Sequence, residues 1–248
     1  GTGVMTGHPS PDTGTAEPRR RRWVVGGTLL ASSGLLNASM STTPGSARFY
    51  GLTFGAAATL TAGGLASGPV HRGWTEAGGP GRPDRRRPVL GPVLLGVGAF
   101  AVFYGLALVA RHIPPLRWAI SKVLSYAHHG SETLVLLTTL ANGAAEEVFF
   151  RGAGYLAVGE RHPVALSTAL YALATTATRN PALVLASAVL GTLFGLQRRA
   201  TGGVQAPMLT HLTWSALMLR FLPPLFQPPT PEQSAPAPGE FPATPRAR

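Results

Sequence analysis

Three charged side chains interrupt one apolar run of this sequence: Glu146, Glu147 and Arg151, in the string Glu146-Glu147-Val148-Phe149-Phe150-Arg151-Gly152. The chain has ten acidic residues, and only these two glutamates lie deep inside an apolar stretch. A charge at the centre of a bilayer costs at least about 2.5–3.5 kcal/mol, so the group must face a protein interior or a wet cavity. On a helix, Glu147 and Arg151 are i and i+4, share a face and can pair. Glu146 is turned by about 100° from Glu147, with Asn142 one turn before it. One carboxylate is thus held ionised by the arginine while the other is free to point into a cavity, a recurring arrangement for acid/base chemistry. A structural ion pair would account for Glu147 and Arg151 but not for the second glutamate. His211, in a later apolar run, is the candidate partner: a base that orients water, a metal ligand, or a helix-packing histidine. Ser215 follows it by one turn. His71, His112, His128, His129 and His162 fall near run ends or in loops and read as solvated.

The elements that would carry these groups are membrane helices. The chain of 248 residues is 45% hydrophobic and 12% charged, with a formal charge of +11 and no cysteine. Ordinary soluble domains carry roughly twice that charged fraction. Without cysteine, disulfides, thiolate metal sites and cysteine nucleophiles are excluded. The basic residues are nearly all arginines, clustered between apolar runs as topology signals are, and this argues against nucleic acid as a partner.

Apolar runs over about Trp23–Met40, Phe49–Ser67, Val89–Ala110, Thr133–Val158, Val164–Thr178, Pro181–Gln197 and Val204–Leu222 predict an all-α bundle of about seven transmembrane spans. An amphipathic stretch, Leu116–Tyr126, is expected at the interface. The expected division is a disordered basic tail over 1–22, N-terminal spans with a basic loop over 23–130, a four-span core over 131–222 and a disordered Pro-rich tail over 223–248. Arg19–Arg22 precede the first run with no small-residue cleavage site after it, which predicts a retained span. Ser187, Gly191 and Gly195 form a small-xxx-small packing face, and Gly63 and Gly64 read the same way. The segments on the N-terminal side of the membrane carry roughly twice the basic residues of those on the other side once the remote Arg246 and Arg248 are set aside, so the positive-inside rule predicts a multi-pass plasma-membrane protein with a cytoplasmic N-terminus.

The string EEVFFRG resembles the first motif, EExxxR, of the CPBP (Abi) family of intramembrane proteases, which includes CAAX prenyl endopeptidases and bacteriocin-processing proteins. The resemblance runs from about Thr133 to Leu222, through Gly195-Leu196-Gln197-Arg198-Arg199-Ala200-Thr201-Gly202-Gly203, to His211. It implies that Glu146 is the general base activating a water. Glu147 and Arg151 would shape its electrostatics and His211 would help form the water or oxyanion site. Ser215 would stand where the family has Asn. The implied reaction is peptide-bond hydrolysis on a membrane-associated peptide or protein, with the lipid bilayer as surroundings.

The family's second motif, Phe-xxx-His, is matched only by Tyr171-Ala172-Leu173-Ala174-Thr175, with threonine at the histidine position. The family label implies zinc, but a His₂Glu zinc set is not present in this sequence. A metal-free glutamate–water hydrolase is therefore one reading. A non-catalytic scaffold, immunity protein or regulatory binder is a second, and a proton-coupled carrier using the glutamates as a relay is a third.

Overall fold

The computed structural model describes residues 13–77 and 84–226. Helices dominate: α1 (Thr13–Ser39), α2 (Ala47–Ala66), α3 (Leu90–Ala110), α4 (Pro114–His128), α5 (Glu132–Glu146), α6 (Tyr155–Ala157), α7 (Pro163–Thr175), α8 (Pro181–Thr201) and α9 (Gln205–Phe221). Between α5 and α6 the chain does not break; it widens into a π-helix over Glu147–Gly154. A short antiparallel pair, β1 (Thr75–Ala77) and β2 (Asp84–Arg86), lies in the basic loop between α2 and α3. From its sequence this stretch reads as a polar loop, without strands.

The apolar runs and the helices agree closely, with two shifts: residues 223–226, expected to begin the disordered Pro-rich tail, form a 3₁₀ turn with Phe226 buried, and α1 starts at Thr13, so residues 13–22, expected to be a disordered tail, are helical. The arginines of that stretch have work at helix ends. Arg21 Nε donates to the Ser67 carbonyl at 2.9 Å and Arg22 Nε to the Ala157 carbonyl at 3.2 Å. A guanidinium on terminal carbonyls satisfies acceptors with no intrahelical partner and complements the helix dipole. The rest of the expected N-terminal tail and residues 227–248 of the C-terminal one lie outside the described residues.

Loop contacts fix which helix ends meet. The Val204 and Gln205 amides donate to the carbonyls of His71 and Arg72, and Gln205 Nε2 donates to that of Pro88. With the bonds of Arg21 and Arg22, these gather the starts of α1, α3 and α9 and the finishes of α2, α6 and α8 at one end. Gly73, at φ 84°, sits where a Cβ would press on the Thr201 carbonyl at 2.5 Å, so only glycine closes this loop against the α8–α9 turn. At the opposite end, the Tyr126 hydroxyl donates to the Met40 carbonyl at 2.7 Å and the Ser131 amide to the Tyr50 hydroxyl at 3.1 Å. Arg19–Arg22, Arg72, Arg85–Arg87, Arg161 and Arg199 therefore share one end of the bundle.

Three helical stretches among the described residues are long and apolar enough to cross a membrane: Leu90–Ala110, Glu132–Ala157 and Pro181–Thr201. Of the seven expected spans, the third, fourth and sixth meet that measure of length and composition. α7 and α9 fall short with 13 and 17 residues, and Gly, Ala, Ser and Thr dilute α1 and α2. On α3, Leu94, Val102, Leu106 and Val109 are all exposed, an apolar outer face suited to lipid.

The small-residue face of α8 packs on α7 as its spacing predicts. A Cβ on Gly191 would meet Thr168 Cγ2 at 3.0 Å and Tyr171 Cδ1 at 3.3 Å, and one on Gly195 would meet Val164 Cγ1 at 3.0 Å. Gly63 packs on Thr28 and Gly64 on Val148. A Gly191→Val substitution is expected to force α7 and α8 apart at a cost of about 1–3 kcal/mol, read as a lower thermal midpoint in detergent. α8 begins at Pro181 after an Asn180 cap, whose Oδ1 accepts from the amides of Ala182 (3.0 Å) and Leu183 (3.3 Å) while its Nδ2 donates to the Ala119 carbonyl at 2.7 Å. Asn180→Ala loses the cap and the tether to α4 together; the expected loss is about 1–3 kcal/mol in the same melt.

Candidate functional site

The site lies where the α5–π junction faces α7, α8 and α9. Glu146 is the last residue of α5 and Glu147 the first of the π-helix, so the two carboxylates leave the chain at a change in winding. π-turns inside α-helices recur at functional sites. Phe149 and Phe150, both buried, anchor the widened turn and meet edge to face with centroids 5.0 Å apart.

Glu147, Arg151 and His211 form a sealed group. Glu147 and Arg151 side chains are 0% exposed. Arg151 Nη1 donates to Glu147 Oε1 at 3.2 Å, and Arg151 Nη2 donates to the Gly191 carbonyl at the same distance. The guanidinium also lies over the rings of Tyr171, at 4.7 Å, and Phe194, at 5.0 Å. His211 Nδ1 is 2.9 Å from that same Glu147 Oε1. A carboxylate paired with arginine only accepts, so Nδ1 carries the proton and donates. That bond sets the tautomer and leaves Nε2 facing the site. Phe194 stacks on the imidazole with centroids 4.9 Å apart, and Gly143 lies beside it, where a Cβ would make ordinary van der Waals contact with His211 Nε2 at 3.6 Å.

Glu146 differs from Glu147 as the helix geometry predicts: its side chain is 23% exposed, and it takes no part in the arginine pair. Its Oε2 lies 4.0 Å from His211 Nε2 and accepts a 2.6 Å hydrogen bond from the Tyr171 hydroxyl. A water about 2.8 Å from each would bridge the glutamate–histidine gap.

The supporting residues are placed less tightly. Asn142 donates to the carbonyls of Thr138 (2.8 Å) and Thr53 (3.4 Å), tying α5 to α2 rather than bonding Glu146. Ser215 is buried one turn after His211 and makes no hydrogen bond to either carboxylate among the described residues. The Thr175 hydroxyl donates to the Tyr171 carbonyl at 2.8 Å, within its own helix. Sequence reasoning missed the direct Glu147–His211 bond, the Glu146–Tyr171 bond and the support of Arg198, whose Nε donates to the Arg151 carbonyl at 2.8 Å. Arg198 had one legible signal, a charge in the last turn of an apolar helix.

The donor set does not suit zinc. Among the described residues no group of three or more His, Cys, Asp or Glu side chains is placed to hold a metal ion. His211 offers only Nε2, its other nitrogen being bonded to Glu147, and the hydroxyl at position 175 is committed to backbone.

Fold and site together define a helical membrane protein with an ionisable cluster buried in its bundle. Residues 129–217 match the family model of the Rce1-like type II CAAX prenyl endopeptidases, consistent with the CPBP family, and supporting an intramembrane endopeptidase at the level of that family. No curated protein and no solved structure matches.

Proposed function

We propose that this protein is an intramembrane endopeptidase in which Glu146 activates water against a peptide carbonyl. The observation that carries the reading is the 4.0 Å gap between Glu146 Oε2 and His211 Nε2, with the imidazole held from behind by Glu147, itself paired with Arg151. Water in that gap would donate one hydrogen to the carboxylate and one to Nε2, leaving its lone pairs free for attack. As the oxygen–carbon bond forms, Glu146 takes the water proton. It returns that proton to the leaving amine as the carbon–nitrogen bond breaks. Glu147 holds the imidazole in the required tautomer, as the buried carboxylate does in serine-protease triads.

Seven spans with the arginine-rich end in the cytoplasm agree with the gathering of helix ends and with the positive-inside rule. His211 then lies roughly 10 Å from that end, at 1.5 Å per helical residue, within reach of water entering from the cytoplasm. The proposed location is the plasma membrane, and the proposed substrate a membrane-associated peptide or protein, for which a prenylated CAAX peptide is the first probe. The test is cleavage of a fluorescence-quenched farnesylated CAAX peptide, and of an unprenylated apolar peptide of equal length, by the purified chain in vesicles. Cleavage lost in Glu146→Gln supports the reading; equal cleavage by both proteins sinks it.

One observation favours a second reading, a membrane scaffold or regulatory binder. The α7 position of the family's second histidine holds Thr175, whose hydroxyl is spent on its own helix. Under that reading, neither probe is cleaved and Glu146→Gln keeps the biological phenotype.

A further inference from the structure

The strongest contact of Glu146 is with a residue that the hydrolytic scheme above leaves idle. The Tyr171 hydroxyl donates to Glu146 Oε2 at 2.6 Å. Its ring is buried, packed on Phe150 with centroids 4.8 Å apart and under the Arg151 guanidinium at 4.7 Å. With the ring buried and held by these two contacts, the phenol keeps one freedom, rotation of its O–H about the C–O bond. On α7 no other polar side chain is bonded to Glu146, since Thr175 bonds the Tyr171 carbonyl.

We infer that the Tyr171 phenol is a mobile hydrogen-bond donor that follows the negative charge of the reaction, from Glu146 to the substrate oxyanion and back. The inference rests on the hydrolase reading above. A hydrogen bond to a charged acceptor is roughly twice as strong as one to a neutral acceptor. Before attack, the charge is on Glu146, and the phenol donates there. When water adds to the carbonyl, its proton goes to Glu146, the new oxygen–carbon bond forms and the carbonyl π-pair moves onto oxygen. Glu146 is then neutral and a poorer acceptor, while the neighbouring oxyanion is a better one. The O–H turns to it without giving up its proton. On collapse the carbonyl re-forms, the carbon–nitrogen bond breaks, Glu146 protonates the amine, and the phenol returns to the carboxylate. A donor of this kind stabilises what exists only in the transition state, so its loss falls on kcat rather than KM.

Position also explains how the site manages with Thr175. Residues 171 and 175 are i and i+4, and helical side chains lean towards the N-terminus. An imidazole at 175 would therefore reach over the turn towards the place the phenol occupies.

The experiment uses the full chain in vesicles and the farnesylated CAAX probe, with thermal midpoints recorded for every variant. Tyr171→Phe should lower kcat by about 10²-fold with little change in KM. Thr175→His should restore at least about tenfold in the Tyr171→Phe background and give much less in the wild type, because a second donor is useful only when the first is missing. Wild-type kcat in Tyr171→Phe overturns the inference, as does a rise in KM that accounts for the loss. So does an effect of Thr175→His that is equal in the two backgrounds. Glu146→Gln separates the two levels. If it is inactive while Tyr171→Phe matches wild type, the hydrolase reading stands and the role of Tyr171 falls. If Glu146→Gln cleaves like wild type, both fall.

Discussion

Glu146→Gln is expected to cut kcat for the cleaved probe by about 10³-fold, within the 10²–10⁴ that a positioned general base contributes, while the thermal midpoint stays near that of wild type. The substitution suits the geometry. Glutamine keeps the length and shape of the side chain, and its amide oxygen still accepts from the Tyr171 hydroxyl, which stands 2.6 Å from Glu146 Oε2. Packing around residue 146 is therefore preserved; what is lost is the capacity to take a proton from water. Glu146 is also the one carboxylate of the pair with an exposed fraction, 23% against 0% for Glu147, so its neutralisation strands no buried partner. Parallel measurement of kcat and melting checks both halves. A variant that melts early and loses activity in proportion would point to a structural glutamate, and unchanged activity would remove Glu146 from the chemistry.

The sequence carried the site further than it carried the fold's details. Two adjacent glutamates inside an apolar run cost too much to be incidental, and i, i+4 spacing predicts which of them pairs with the arginine: Glu147 is bonded to Arg151 at 3.2 Å and Glu146 is not. The small-residue face of α8 was equally legible, because Ser187, Gly191 and Gly195 recur at the one spacing that helix packing requires. What stayed hidden depends on tertiary pairing. Nothing in the composition of Glu147–Gly154 distinguishes a π-helix from an α-helix, since the same residues satisfy i→i+4 or i→i+5 bonds and neighbouring helices decide. The β1–β2 hairpin sits in a charged, Gly- and Pro-rich loop whose strands have no apolar alternation. Asn142 was placed correctly on its turn, but its amide finds the carbonyls of Thr138 and Thr53, a choice that only the approach of α2 makes available. The phenol of Tyr171 sat in plain view as an aromatic in a helix, and its bond to Glu146 needed the crossing of α7 with α5.

The largest effect on stability is expected from Arg151. Its guanidinium is fully buried and bonds Glu147 Oε1 and the Gly191 carbonyl. Glu147 Oε2 has no hydrogen-bond partner, so removing Arg151 leaves a buried carboxylate with the His211 imidazole alone. Stripping one partner from a buried ion pair costs about 3–5 kcal/mol, whereas replacing the whole pair by apolar groups of similar volume is often neutral or stabilising. Arg151→Met, close in volume, isolates this electrostatic cost from cavity formation. It should lower the thermal midpoint sharply and abolish cleavage. Adding Glu147→Gln to Arg151→Met removes the stranded charge and should recover much of the lost stability without recovering activity, because the amide no longer provides an anionic acceptor to hold His211 Nδ1–H. Recovery of both would make the triad a stability device only, and a single Arg151→Met variant that melts like wild type would remove the ion pair from the energetics of the bundle. The split outcome, stability without activity, is the signature of a buried charge pair kept for the imidazole it orients.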